Sequence, residues 1–413
     1  MIRIPRAART GVLAAAALLA ACADDPEIVA PPTPGGGSLF ASYVALGNSI
    51  TAGYQSGGIN DSTQQESYAY LIGTQAMETR FAAPLVADPG CPPPIANFQT
   101  QVRGDPANPA YTDVTCLLRD RTSLTPVLNN VAVPNTFVVD PISRSTANSN
   151  ALTTLFLGGV SQVAKALQAR PTFASVWLGN NDVLAAGVSG VVVPTSGISP
   201  GITPAATFAE TYNEVLDSLT AAPTLQGGVL IGVVDVTNAP VLFPAAALFN
   251  PAFKAGFDQF AGGAVTLLPS CTPTTTSLIS FRIVSAMRDG THPRVIACEK
   301  GQFAPSPLVG ELFVLDAGER QAITDAVTAY NAAIQARAEA LGWAYVDPNP
   351  ALAALRAAGA IPPAPNLADP VNPFGTYISL DGVHPRRPAH VLVANAVIDA
   401  INATYETSLP HVE

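Results

Sequence analysis

Residues 43–53 read Tyr43-Val44-Ala45-Leu46-Gly47-Asn48-Ser49-Ile50-Thr51-Ala52-Gly53. A short apolar run closed by glycine and followed by small polar residues has the form of a buried strand that ends in a turn. Four more apolar runs, at residues 130–133, 173–178, 229–236 and 343–346, have the same character. Around and between them, residues 67–79, 149–169, 205–221, 318–341 and 387–404 carry apolar positions at helical spacing. Asp316 stands just before the fourth of these helices, where its carboxylate meets free N–H groups. Strands alternating with helices predict an α/β fold: a three-layer α/β/α sandwich on a five-stranded parallel sheet. Two stretches break the alternation and read as loop-rich insertions, one near 83–128 and one near 240–310. Residues 188–204 form a third loop rich in Pro and Gly.

Functional groups of open α/β sheets gather beyond the carboxyl ends of strands. Beyond the first strand lies Gly47-Asn48-Ser49, and beyond the third lies Gly179-Asn180-Asn181-Asp182. Beyond the fifth, ahead of the last helix, lies Asp381-Gly382-Val383-His384-Pro385. A hydroxyl, an amide donor, a carboxylate and an imidazole are the parts of acyl transfer. The serine attacks, the histidine moves the proton, the aspartate orients the histidine, and fixed donors hold the oxyanion.

With these blocks in this order the chain resembles the SGNH/GDSL hydrolase family. The resemblance spans roughly residues 40–405 apart from the insertions. Its first block reads GNSITAG here and implies Ser49 as nucleophile. GNND stands for GxND and implies Asn181 as a side-chain oxyanion donor, with Asp182 structural. DGVH stands for DxxH and implies Asp381 and His384 as the remaining pair. The resemblance also implies a flavodoxin-like strand order and a serine esterase that needs no cofactor. Two positions depart from the family pattern. Asn48 replaces the aspartate of GDS, which predicts altered support rather than lost chemistry. The family's second-block glycine is matched by Asn135, and Asn tolerates left-handed backbone angles better than most residues. The expected oxyanion donors are therefore the backbone N–H groups of Ser49 and Asn135 and the side chain of Asn181.

Two patterns compete with this reading. Asp289-Gly290-Thr291-His292-Pro293 repeats the D-G-x-H-P motif but precedes the fifth strand, the wrong topological place for the catalytic base. Gly197-Ile198-Ser199-Pro200-Gly201 fits G-x-S-x-G, yet Pro200 has no N–H to donate, so it reads as a turn. His390 and His411 read as packing or surface residues. There is no Walker loop and no G-x-G-x-x-G, and nothing asks for a nucleotide, flavin or metal. The rival reading is a non-catalytic envelope lipoprotein that binds a glycan or protein partner through the same cleft.

The chain has 413 residues, 48% of them hydrophobic and 12% charged, which excludes global disorder. Its net charge of −10, with 20 Lys and Arg, excludes a basic nucleic-acid footprint. Arg3, Arg6 and Arg9, the apolar run 12–21 and Leu19-Ala20-Ala21-Cys22 resemble a bacterial lipoprotein signal, with Cys22 as the lipidated residue. Residues 1–21 are then the signal peptide, and 22–38 the lipidated cysteine with a flexible Pro/Gly-rich tether. Residues 39–405 form the hydrolase domain, and 406–413 a tail. The expected location is the bacterial cell envelope, anchored to a membrane by lipid. Expected substrates are small-molecule, glycan or lipid esters. In that oxidising compartment Cys91, Cys116, Cys271 and Cys298 predict two disulfides, with Cys91–Cys116 and Cys271–Cys298 favoured as local pairs.

Overall fold

The computed structural model describes residues 37–77, 79–103, 127–142, 151–195, 201–301 and 311–413. Cys22, the signal segment, most of the tether, Cys116 and Ser199 lie outside them. In chain order the elements begin with β1 (Tyr43–Gly47), α1 (Ser49–Ala52), α2 (Asp61–Gln65) and α3 (Tyr68–Ala76). Next come α4 (Ala151–Leu157), α5 (Gln162–Gln168), β2 (Phe173–Trp177), α6 (Asn181–Ser189), α7 (Ala205–Thr220) and β3 (Gly227–Ile231). The second insertion supplies β4 (Leu242–Pro244), α8 (Pro251–Phe260), β5 (Thr266–Leu267), β6 (Leu278–Ser280), α9 (Ile283–Arg288) and β7 (Val295–Ile296). The chain closes with β8 (Val314–Leu315), α10 (Ala317–Leu341), β9 (Ala344–Val346), α11 (Asn349–Ala357) and α12 (Arg387–Tyr405).

β1, β2, β3 and β9 form one parallel sheet in that order. Side chains alternate between its faces, and both faces are buried, as parallel sheets require. Val44, Leu46, Val176 and Leu230 pack with residues of α4, α5, α7 and α10. Tyr43, Phe173, Trp177 and Val229 pack with α3 and α12 on the other face. Asp316 caps α10 as its position suggested: its carboxylate accepts from the Glu319 N–H, and the Glu319 side chain returns the bond.

The sheet has four strands rather than the expected five, so the five-stranded flavodoxin-like order is not what it displays. Residues 129–133 run beside β1 through a single bridge, Ala45 to Asn130. The side-chain amides of Asn129 and Asn130 turn to backbone carbonyls of Tyr43 and Thr51, and Pro134 brings no N–H to extend a ladder. The expected strand 229–236 is displaced to Gly227–Ile231. Beyond it the N–H groups of Val233, Val234 and Asp235 are taken by side chains of Asn331, Asn180 and Asn349 instead of a neighbouring strand. The expected helix 149–169 is two helices, broken where Gly158 and Gly159 adopt positive φ.

The 240–310 insertion is less irregular than expected. β4, β6 and β8 form a small antiparallel sheet, and β5 pairs with β7. The Cys271–Cys298 disulfide ties this region together as anticipated. Cys91 is also disulfide-bonded, and its expected partner Cys116 lies outside the described residues. Among the described residues, no helix is long and apolar enough to cross a membrane.

Candidate active site

Ser49 is delivered by a sharp strand-to-helix junction. β1 ends at Gly47, where a Cβ would fall 2.1 Å from the Thr51 hydroxyl, so the turn closes against its own helix. Asn48 is the N-cap of α1, and its side-chain oxygen accepts from the Ile50 N–H at 3.2 Å. That is the work an aspartate oxygen would do here, which explains how the departure from GDS leaves the turn intact. The second polar atom of Asn48, Nδ2, is buried with no partner among the described residues. Ser49 is the first residue of α1, so its N–H belongs to the helix end that has no intrahelical acceptor.

The three residues from opposite ends of the chain meet. His384 Nε2 lies 2.8 Å from Ser49 Oγ, and His384 Nδ1 lies 2.8 Å from Asp381 Oδ2. The Tyr54 ring packs on the His384 ring at 5.0 Å between centroids. Asp381 is held as a carboxylate by a full set of donors. Oδ1 accepts from the N–H groups of Val383 and His384 and from the Ser379 hydroxyl; Oδ2 also accepts from the Gly57 N–H. Burial alone would push this carboxyl up. The facing His384 charge and the donors outweigh burial and hold it well below the usual carboxylate range.

Sequence reasoning missed the layer behind Asp381. The loop after α1 is stitched to the loop that carries the pair: the Ser56 N–H donates to Ser379 Oγ, and the Leu380 N–H donates to Ser56 Oγ. Ser56 and Gly57 carry no pattern of their own. They become visible once residues 56 and 379 are adjacent.

Asn181 opens α6 and lines the same cavity as Ser49 and His384. Its Nδ2 donates to the Thr136 carbonyl at 2.8 Å, which leaves one N–H of that amide free for a second acceptor. Asn135 adopts φ of +63°, a left-handed conformation of the kind glycine takes readily. It sits beside Thr136, so the turn and Asn181 are fixed to each other, although Asn135 is exposed and is not on the cavity wall. Asp182 points away into structure. Its carboxylate accepts from the Thr203 hydroxyl at 2.6 Å and the Val138 N–H at 2.9 Å. Burial pushes this carboxyl up to about 7 despite those two donors.

The other histidines are elsewhere. His292 is buried, with Nδ1 against its own neighbour's carbonyl, Pro293 O, at 2.6 Å. His390 is fully buried; its Nδ1 accepts from the Tyr68 N–H, and burial pulls its pKa down to about 3. His411 pairs with Asp399 at the surface. Among the described residues no cluster of His, Cys, Asp or Glu could hold a metal ion.

In front of Ser49 and His384 opens a cavity of about 160 Å³. Apart from Ser49, Asn180, Asn181, His384 and Asp347 its wall is apolar, with Trp177, Leu184, Ile231, Leu352 and Val393 among the lining residues. A hydroxyl, an imidazole bonded to it, an amide donor and an apolar recess thus share one space. This is the equipment for attack on an acyl carbon attached to an apolar group.

The chain matches the GDSL-like Lipase/Acylhydrolase family over residues 43–397, and it belongs to that family. Membership makes it, in general terms, a hydrolase acting on esters. No curated protein matches it. Among solved structures it is similar to an extracellular lipase from Streptomyces rimosus. That likeness has 14% identity, spans 88% of this chain and 99% of the lipase, and has a TM-score of 0.34.

Proposed function

We propose that the protein is a serine esterase of the cell envelope that cleaves carboxylic esters with an apolar acyl group through an acyl-Ser49 intermediate. The observation that carries the reading is the hydrogen-bonded chain Ser49–His384–Asp381, with 2.8 Å at each link, opening onto an apolar cavity. Ser49 Oγ attacks the acyl carbon while His384 Nε2 takes its proton. Asp381 holds Nδ1 and stabilises the imidazolium that forms. The oxyanion is met by the Ser49 N–H, the free N–H of the Asn181 amide and the Asn135 N–H. His384 returns its proton to the departing alcohol. Water then attacks acyl-Ser49 with the same imidazole as base.

The apolar wall supports lipid esters and longer acyl esters over acetyl groups on glycans. Each methylene buried there is worth roughly 0.8 kcal/mol, so kcat/KM for p-nitrophenyl esters should climb about three- to fourfold per added methylene until the recess is filled. A fluorophosphonate should label Ser49. Absence of labelling and turnover would leave the non-catalytic binding lipoprotein as the better account, while a preference for acetate would remove the acyl group from the cavity. The envelope placement rests on the lipoprotein-like signal, with Cys22 carrying the lipid and residues 23–38 as the tether. Metabolic labelling with a palmitate analogue, lost in Cys22→Ala, is its test.

A further inference from the structure

A second cavity, of about 180 Å³, shares no wall residue with the one in front of Ser49. Its apolar wall includes Phe98, Phe281 and Phe374, all nearly fully buried, with ring centroids 5.2–5.4 Å apart around Phe98. The charged side chains that line it are Arg282, Arg288 and Asp381. Arg282 precedes α9 and Arg288 ends it, with Ser285 between them at spacings of three residues, so all three fall on one side of the short helix.

The charge balance of this cavity favours an anion. Asp381 is its one carboxylate, and that carboxylate already faces His384 and is met by further donors. Arg282 is exposed and has no ion pair among the described residues. Arg288 reaches Asp289 at 3.6 Å, but both side chains are largely in water, where such a pair is worth little. A chain with 20 Lys and Arg against 30 acidic residues thus sets two guanidinium groups at the mouth of an aromatic recess. Guanidinium is the group best matched to a carboxylate, through two parallel N–H donors, and buried phenylalanines favour an aryl ring packed edge to face.

We infer that this cavity is a binding site for a small aryl carboxylate, with the ring among Phe98, Phe281 and Phe374 and the carboxylate on Arg282 and Arg288. Neither Ser49 nor His384 lines this cavity, and Asp381, which faces His384, is the one residue of the proposed catalytic chain on its wall. The test reads binding and not turnover.

Calorimetric titration of the whole protein with phenylacetate, in a buffer free of other carboxylates, should show one saturable site that tightens as salt falls. The uncharged isostere 2-phenylethanol should bind at least about tenfold more weakly, the scale of about 1.4 kcal/mol for one lost charge-assisted contact. The exposed pair Arg282→Gln and Arg288→Gln, with an unchanged melting temperature, should weaken phenylacetate by about tenfold or more and leave 2-phenylethanol unaffected. Ser285→Trp, which fills the recess, should weaken both ligands. No saturable phenylacetate binding would overturn the assignment. So would equal binding of acid and alcohol, or full phenylacetate affinity in the arginine double variant.

Discussion

Two copies of one pentapeptide pattern, Asp289-Gly290-Thr291-His292-Pro293 and Asp381-Gly382-Val383-His384-Pro385, share backbone features and differ in everything chemical. Both glycines take the left-handed conformation, φ +75° at Gly290 and +71° at Gly382. Both histidines are buried. In the first copy Asp289 closes α9, its carboxylate is in water beside Arg288, and the N–H groups of Thr291 and His292 return to the Ala286 carbonyl. His292 directs Nδ1 to a carbonyl one residue away. In the second copy the aspartate folds back over its own turn and accepts the Val383 and His384 N–H groups. Its Oδ2 meets the imidazole as well as the Gly57 N–H, and the imidazole's other nitrogen faces Ser49. The pattern encodes a turn. Chemistry comes from which element the turn is packed against.

The sharpest way to break this contrast is to remove each histidine. His384→Ala should lower kcat/KM by roughly 10⁴-fold or more, and Ser49→Ala should do the same, because members of one catalytic unit are not additive. His292→Ala should leave kcat/KM within about twofold, measured on the folded fraction. An essential His292 with a dispensable His384 would reverse the assignment of the two copies.

Next in size is the donor across the cavity. Asn181→Ala should lower kcat by roughly 10²–10³, the scale for one oxyanion donor. A fully active Asn181→Ala protein would reduce GNND to a helix start.

The disulfide offers a test on the other copy. Cys271–Cys298 encloses Asp289 and His292 in a 27-residue separation, while Asp381 and His384 lie outside it. Replacing both cysteines with Ala should cost roughly 3 kcal/mol of stability in denaturant titration. Once folded, the protein should keep its kcat. A collapse of kcat with stability intact would mean that the insertion supports the site directly.

How much of this was legible beforehand follows from where the bonds come from. β1, β2 and the helices at 205–220, 317–341 and 387–405 were readable because their signals are local: apolar runs, helical spacing and the Asp316 cap. Ser49, Asp381 and His384 were readable because each sits at a strand end or just before a helix. Residues 233–235 misled because their apolar character continues after the backbone has passed from strand partners to asparagine side chains. The strands of the insertion are two or three residues long, too short for a period. The second cavity was invisible because its walls come from residues as distant as Phe98 and Asp381.

The same lesson holds for two buried carboxylates, and pH separates them. Asp381 faces an imidazole and is held low; Asp182 faces a hydroxyl and an amide and is raised to about 7. A carboxyl raised in the folded state keeps a proton that the unfolded chain releases, so stability falls as pH rises from about 4 to about 7 and is level above that. Asp182→Asn removes this penalty while keeping one acceptor and one donor. Its stability relative to the parent should improve by up to a few kcal/mol between pH 4.5 and pH 8. If the variant instead loses ground as pH rises, Asp182 is an ionised partner after all.

The smallest effect is expected at Asn135, and it decides what replaced the family's glycine. At φ +63° the residue sits where glycine is at ease, and Asn bears the conformation at modest cost. If only its backbone N–H meets the oxyanion, Asn135→Gly keeps that donor and the angle, and kcat should stay within about twofold. Asn135→Ala should then lose stability more than rate, since Ala lacks the short polar side chain that eases Asn into this φ and the N–H is still present. A side-chain donor gives the reverse: Asn135→Gly would lose as much as Asn181→Ala. The measurement that separates the two is kcat for both variants beside their melting temperatures.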